Sequence, residues 1–116
     1  MDINSEFDSN IQEPQFLYLV TVGWKTNKQH KIEIWFVKNN KRYYIVSERR
    51  EKSHWVQNII HNTQVSIIVN NAKFKGTARI VVREKEFELA REVSNLMRIK
   101  YGWSEGLIIE LTPHVA

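Results

Sequence analysis

The stretch HKIEIWFVKNNKRYYIVS, residues 30–47, contains the clearest strand pattern in the sequence. Ile32, Ile34 and Phe36 alternate with the residues between them, which is the two-residue period of a strand with one buried face. Asn39-Asn40 then separates this run from a second apolar run, and asparagine tolerates the left-handed backbone of a two-residue turn better than most residues. The stretch therefore predicts an antiparallel β-hairpin.

Runs of similar character on either side extend the predicted sheet. Two helices are also indicated by apolar residues that recur every three or four positions: a short helix that begins after Ser53 and a long one over residues 84–100. A second hairpin signal is Asn70-Asn71, and further strands are predicted at residues 17–22, 64–69, 73–82 and 106–111. Six strands with only two helices predict a mainly β fold, a small closed or split antiparallel barrel.

The length and composition predict one domain. With 116 residues and 42% hydrophobic content, the chain can bury one core but not two. We expect residues 15–116 to form this domain and the polar residues 1–14 to be a flexible tail. Because the start lacks the features of a signal peptide and the apolar runs are only strand-sized, we expect a cytoplasmic protein with no membrane segment.

Composition also narrows the possible chemistry. The absence of cysteine excludes disulfide bonds, thiolate nucleophiles and zinc sites with sulfur ligands. The only aspartates, Asp2 and Asp8, fall in the expected tail, and no glycine-rich phosphate loop is present, so neither a Ser-His-Asp hydrolase nor a mononucleotide fold of that type is expected. His54 and His61 lie about two helical turns apart, too far for one metal ion, and no metal site is predicted. The sequence identifies no catalytic side chain.

The loop SERREKSHW, residues 47–55, follows a predicted strand and is rich in cations. Arg49 and Lys52 precede the start of the short helix at Ser53 and His54, where unpaired backbone N–H groups and the helix dipole favour an anion. With a formal net charge of +4, this pattern favours a phosphate-bearing partner. The alternatives are an ordinary solvated loop and, less favoured because glutamates are mixed among the cations, a nucleic-acid surface.

Four segments taken together resemble a known superfamily. They are TVGWKTNKQHKIEIWFV, RYYIVS, SHWVQNIIHNTQVSIIV and GLIIELTP. Their order is similar to that of the split-barrel flavin- and deazaflavin-binding proteins, which include pyridoxamine 5'-phosphate oxidases and the deazaflavin-dependent nitroreductase family. The likeness is closest to the nitroreductase branch, and the residues that match its turn, strand and helix motifs are Thr21, Gly23, Lys25, Thr26, Lys28, 34–37, 43–47, Trp55, Asn58 and Ile59.

The resemblance implies an FMN-binding split barrel with six antiparallel strands and a homodimer that holds a flavin-type cofactor in a groove between subunits. It also implies an oxidoreductase that transfers hydride to or from a small organic substrate, with the hydride chemistry supplied by the cofactor. The residues implied near the phosphate or acidic tail are Lys25, Thr26, Lys28, Arg49, Lys52, Ser53 and His54. The residues implied to border the ring are Trp35, Phe36, Val46 and Ser47, and Trp55 is counted with the cofactor-binding set.

Four positions depart from the family pattern. Trp24, Asn27, His30 and Glu33 stand where the family has Arg, Gly, Arg and Pro. Losing two guanidinium forks weakens the case for the polyanionic tail of a deazaflavin coenzyme and favours FMN, or no cofactor at all, so the choice among the three stays open. The alternatives to an oxidoreductase are a noncatalytic or orphaned member of the same fold and, less favoured, a small nucleic-acid-binding barrel.

Overall fold

A computed structural model describes residues 14–114 of the chain. Its strands are β1 (Phe16–Val22), β2 (Gln29–Trp35), β3 (Val37–Asn39), β4 (Arg42–Ser47), β5 (Gln64–Val69), β6 (Ala72–Ile80) and β7 (Leu107–Pro113). Helix α1 (His54–His61) follows a 3-10 turn at Arg50–Lys52, and helix α2 (Phe87–Tyr101) separates β6 from β7. The predicted tail, residues 1–14, lies outside the described residues except for Pro14. No helix within the described range is both long and apolar enough to span a membrane.

The strands form one sheet in the order β2-β1-β5-β6-β7-β4-β3, and every neighbouring pair is antiparallel. The sheet curls until edge strand β2 approaches β4, although the two strands are not hydrogen-bonded neighbours. A sheet that closes on itself with one unpaired seam is a split barrel, so the predicted fold class is confirmed. The seam between β2 and β4 is the part of the fold that forms the candidate site.

The sheet has seven strands rather than the predicted six, because the run over residues 30–38 is interrupted at Phe36. The Phe36 N–H donates to Tyr101 Oη at 3.0 Å, and the Phe36 carbonyl oxygen accepts a hydrogen bond from Lys100 Nζ at 3.0 Å. These contacts with the end of α2 take the place of strand pairing at Phe36. Strand β2 therefore pairs with β1, and β3 pairs with β4.

Asparagine supports both hairpin turns. Asn70 and Asn71, with φ of 56° and 67°, join β5 to β6 as predicted. In the first hairpin the turn residues are Asn40 and Lys41, with φ of 52° and 68°, and not Asn39-Asn40. Asn39 instead pairs with Arg42, so the turn lies one residue later than predicted. This register places the Val37–Tyr44 pair, both buried, beneath α2.

The sheet buries an apolar cluster on each face. The cluster inside the barrel includes Val56 and Ile59 of α1, packed against buried residues of β1, β4, β5, β6 and β7. The cluster outside it is covered by α2 and comprises Val37, Tyr44, Val46, Val81, Ala90, Val93, Met97 and Ile108. Two residues that helical spacing placed on the buried faces are exposed instead: Ile60 is 47% exposed and Phe87 is 59% exposed.

Helix α2 begins at Phe87, three residues later than predicted, because a turn precedes it. The Val82 carbonyl oxygen accepts hydrogen bonds from the N–H groups of Lys85 and Glu86, at 3.0 and 2.9 Å. The helix ends at Tyr101, one residue later than predicted, and Gly102 forms its C-cap. Gly102 has φ of 74°, the left-handed conformation that glycine adopts without steric cost.

A buried polar network fastens the sheet to the start of α2. Glu110 is only 4% exposed, and its carboxylate accepts hydrogen bonds from Tyr44 Oη at 2.7 Å and Arg79 Nε at 2.8 Å. Arg79 also donates two hydrogen bonds to Glu86, which precedes α2. Burial, together with the bond to Glu110, raises the pKa of Tyr44, and the Arg79 guanidinium lowers the pKa of Glu86. The network holds β4, which contributes two residues to the candidate site.

Candidate functional site

Two adjoining cavities, each of about 650 Å³, open along the seam of the barrel. They lie between edge strand β2 on one side and the end of β4, the 3-10 turn and α1 on the other. Arg49, Ser53 and Trp55 line both cavities, so the two lie side by side along the seam and are together called the groove. Ligand sites are commonly concave, and a groove of this size can hold a molecule with a ring at one end and a charged tail at the other.

The first of these, here called the cationic cavity, is lined by positive side chains and, among the described residues, by no carboxylate. Its lining comprises Gly23, Trp24, Lys25, Thr26, His30, Lys31, Ile32, Arg49, Lys52, Ser53, His54, Trp55 and Asn58. Lysine and arginine side chains from opposite walls would both face an anion held here.

The turn over residues 23–28 forms one wall of the cationic cavity. The Gly23 N–H donates to the Lys28 carbonyl oxygen at 2.7 Å, and the Asn27 N–H donates to the Gly23 carbonyl oxygen at 2.8 Å. Asn27 has φ of 60°, so it adopts the left-handed conformation for which the family uses glycine. A Cβ on Gly23 would lie 2.6 Å from Thr26 Oγ1 and 2.8 Å from His30 Nε2, so a side chain here would require these two neighbouring side chains to shift.

Asn58 of α1 fixes this turn to the opposite wall. Its side chain accepts a hydrogen bond from the Trp24 N–H at 3.1 Å and donates one to Thr21 Oγ1 at 3.0 Å. Asn58 is 5% exposed and Thr21 is fully buried, so the bond between their side chains is shielded from water, whereas the bond to Trp24 is partly buried. The Trp24 ring also stacks on His61 with a centroid distance of 4.2 Å. The position of Lys25 is thus set by contacts between β1, the turn and α1.

The loop after β4 forms the other wall, and its internal bonds differ from the sequence-based expectation. Ser53 occupies the N-cap position of α1, but its side chain makes no capping bond. The Ser53 and Ser47 hydroxyl oxygens are 2.9 Å apart, and the Ser47 hydroxyl donates to the Arg50 carbonyl oxygen at 2.9 Å. The Ser53 N–H donates to the same carbonyl group at 3.3 Å, so it is not an unpaired amide facing the cavity.

The second cavity, here called the aromatic cavity, has indole and phenyl walls. Its lining comprises Phe16, Glu33, Ile34, Trp35, Val46, Ser47, Glu48, Arg49, Ser53, Trp55 and Trp103. Trp35 stacks on Tyr101 with the ring centroids 4.4 Å apart and the planes 4° from parallel, and it meets Trp103 edge to face at 6.1 Å. Stacking on one face fixes the Trp35 ring while its remaining surface stays available to the cavity.

Most of the residues predicted to bind a cofactor meet in this groove. Those lining the aromatic cavity are Trp35, Val46, Ser47, Arg49, Ser53 and Trp55, and the cationic cavity adds Lys25, Thr26, Lys52 and His54. Lys28 and Phe36 line neither cavity. Lys28 contributes backbone bonds to the turn, and Phe36 is 1% exposed because its ring packs inside the barrel against Tyr43. The Phe36 side chain is therefore too deeply buried to border a ring in either cavity.

Sequence reasoning did not assign Phe16, Lys31, Glu33, Glu48 or Trp103 to the site. The sequence analysis treated Glu33 as a departure from the family pattern. Strand alternation could have assigned it to the site, because Glu33 and Trp35 are two residues apart on β2. Trp103 follows α2 and lies far from β2 along the chain. No local pattern predicts that meeting, because it depends on how α2 packs across the sheet.

Comparisons with known proteins agree with this architecture. The chain is 21% identical to an F420-H2 dependent reductase (FDR-A), with a TM-score of 0.60 over 86% of this chain and 96% of that one. It is 21% identical to HutZ, the heme storage protein from Vibrio cholerae, with a TM-score of 0.73 over 100% and 93% of the two chains. A candidate pyridoxamine 5'-phosphate oxidase from Listeria innocua is 12% identical, with a TM-score of 0.68 over 88% and 86%.

These identities show a shared fold and nothing finer. No curated protein sequence matches the chain. A family model, in contrast, matches residues 1–104, which is most of the sequence, and it describes F420H(2)-dependent quinone reductases. The match confirms the predicted resemblance to the deazaflavin branch of the split-barrel superfamily, and the chain belongs to the F420H(2)-dependent quinone reductase family.

Proposed function

We propose that this protein is a deazaflavin-dependent oxidoreductase that transfers hydride to or from a small organic substrate in the seam of the split barrel. The observation that supports this best is that an aromatic and a cationic cavity adjoin along Arg49, Ser53 and Trp55. A deazaflavin coenzyme has a flat ring and a long anionic tail. In the groove, the aromatic cavity would hold the ring and the cationic cavity would hold the tail.

The protein's part in this reaction is to bind, orient and exclude water. Lys25 on the turn, with Arg49 and Lys52 on the facing loop, would hold the phosphate and acidic groups of the tail. Trp35 and Val46 would border the ring, and the apolar walls would keep water from it. The bound cofactor supplies the hydride chemistry, so the proposal requires no catalytic acid or base from the protein.

The family to which the chain belongs favours the deazaflavin over FMN as the cofactor. Trp24 and His30 stand where the family has arginine, so fewer guanidinium groups are available to bind an anion. Both Trp24 and His30 still line the cationic cavity. Lys31 lies beside them and adds a further charge to the same wall. FMN, with one phosphate, remains the alternative occupant of the same groove.

A binding titration with both cofactors tests the proposal. Arg49→Ala with Lys52→Ala removes two cations from the groove, and we expect the dissociation constant for the deazaflavin to rise by about tenfold or more. Both side chains are exposed, so the melting temperature should hardly change. The matched control, Lys73→Ala with Lys85→Ala, removes the same charge from exposed positions outside both cavities. Unchanged affinity in the first variant would remove this loop from the site.

A noncatalytic haem-binding role is a second candidate, suggested by one feature of the cationic cavity. His30 and His54 both line it together with Lys25, Arg49 and Lys52. Imidazole is a common axial ligand of haem iron, and the cations would suit the propionates. Titration with haemin, followed by the position of the Soret band, tests this candidate. It would be excluded if the band did not shift, or if it shifted equally in the unaltered protein and in a His30→Ala, His54→Ala variant.

A further inference from the structure

The two cavities of the groove differ in charge. The binding of an anionic tail requires cations in the cationic cavity, but it does not require carboxylates in the aromatic cavity. The cationic cavity has no lining carboxylate among the described residues, whereas Glu33 and Glu48 both line the aromatic cavity. Arg49 is the one cation in the lining of the aromatic cavity, and the two cavities share it. The aromatic end is therefore net negative within a chain whose formal net charge is +4.

No side chain among residues 14–114 forms an ion pair with either of these two carboxylates. Among residues 14–114 the ion pairs involve other acids, Glu86, Glu88 and Glu110, and neither Glu33 nor Glu48 takes part in one. Both are exposed, and Glu33 is two residues from Trp35 on β2, so the two side chains project from the same side of the strand. Their charge is available to a molecule in the cavity.

The aromatic walls complement that charge. Trp35 is held between Tyr101 and Trp103 and is still 44% exposed, so it offers a rigid indole surface beside Glu33. Indole surfaces attract cations through the ring quadrupole, and flat rings stack on them. A site that combines indole walls with unpaired carboxylates favours a ligand that is both flat and positively charged.

We infer that the aromatic cavity takes a flat organic cation, such as an N-alkylated pyridinium or phenazinium, as hydride acceptor; this rests on the proposed function. The reduced deazaflavin would lose hydride by cleavage of a C–H bond and release one proton to solvent. The acceptor would gain the hydride, two electrons with one hydrogen nucleus, in a new C–H or N–H bond. The cationic acceptor thereby becomes neutral, loses its attraction to Glu33 and Glu48, and is released more readily.

Calorimetric titration of the protein without cofactor tests the charge preference directly. The probes are N-methylphenazinium, which is a cation, menadione, which is neutral, and anthraquinone-2-sulfonate, which is an anion. At low salt we expect the cation to bind about tenfold more tightly than the sulfonate, and the difference to shrink at high salt because the carboxylates are exposed. Glu33→Gln with Glu48→Gln should reduce the preference below about threefold.

The control is Glu88→Gln with Glu92→Gln, which makes the same charge change on exposed positions of α2 and should keep the preference. Equal or tighter binding of the sulfonate by the unaltered protein would overturn the inference, as would a preference that survives in the Glu33 and Glu48 variant. Since no cofactor is present, a failed deazaflavin titration would refute the proposed function without affecting this result. Melting curves of both variants verify that they are folded.

Discussion

At the scale of single residues, Asn58 matters more to the site than its position inside a short helix suggests. Its amide joins α1 to Thr21 of β1 through a buried hydrogen bond and to the Trp24 backbone through a partly buried one. The second bond holds the turn that carries Lys25 against α1. Asn58 also lines the cationic cavity, and in the proposed function we assign it the role of positioning this turn.

Replacing Asn58 by leucine, which has a similar volume, should remove both hydrogen bonds and leave the buried Thr21 hydroxyl without a partner. We expect the free energy of unfolding to fall by about 1–3 kcal/mol, which is the cost of an unsatisfied buried polar group. The dissociation constant for the cofactor should also rise, measured at a temperature where the variant is folded. Asn62→Leu at the exposed end of α1 is the control and should change both quantities less. Equal effects of the two substitutions would contradict the positioning role.

Tyr44 gives a testable pH dependence. Its pKa is raised by burial and by its hydrogen bond to Glu110, so the folded state favours the protonated phenol. Because its pKa is higher in the folded state, the Tyr44 phenol stabilises the fold fully at any pH below the unfolded pKa, which is near 10. This contribution to the free energy of unfolding declines as the pH rises from 10 towards the folded pKa. We expect the melting temperature to fall more steeply above pH 10 in the unaltered protein than in Tyr44→Phe. Parallel melting curves across that range would show that Tyr44 is not the source.

At the scale of elements, local pattern predicted the strands and helices well but not the contacts that interrupt them. Alternation identified β2 and β6, composition and turn signals identified β1, β4, β5 and β7, and the helical period identified α1 and α2. The break at Phe36 was not predictable, because it depends on Tyr101 and Lys100, more than sixty residues away in sequence. Strand alternation put Phe36 on one face with Ile32 and Ile34, and Phe36 is buried inside the barrel; only the family resemblance placed it beside the ring with Trp35.

Gly102 and Gly106 both follow α2 in the sequence, but the space available to a side chain differs between them. A side chain on Gly106 would place its Cβ 2.3 Å from the Ser47 carbonyl oxygen, whereas nothing lies within 4 Å of one on Gly102. We expect Gly106→Ala to cost at least about 3 kcal/mol of unfolding free energy, since rigid backbone beside the site would have to move. Gly102→Ala should cost only about 1 kcal/mol, the strain of a left-handed alanine. Denaturant unfolding of both variants tests this order, and a similar cost for the two would contradict it.

At the scale of the whole molecule, one surface feature bears on assembly. Phe16 and Trp35, which pair across β1 and β2, are 37% and 44% exposed where they line the aromatic cavity. Exposed aromatic residues grouped at the mouth of a cavity commonly mark an interface. A second subunit placed there would cover the open side of the groove, which is the arrangement that the family resemblance implies and that we retain as a proposal.

We therefore expect the protein to sediment at about twice its protomer mass of 13.8 kDa, and the cofactor to strengthen the association, because a ligand held between subunits binds the dimer better than the monomer. Phe16→Asp should weaken the dimer by placing a charge at the covered face, and cofactor affinity should fall with it. Phe87→Asp, at an exposed phenylalanine of α2 outside both cavities, is the matched control and should leave the dimer intact. A protein that sediments as one protomer at about 100 µM, with or without cofactor, would refute this assembly and require the groove to bind its ligand from one subunit alone.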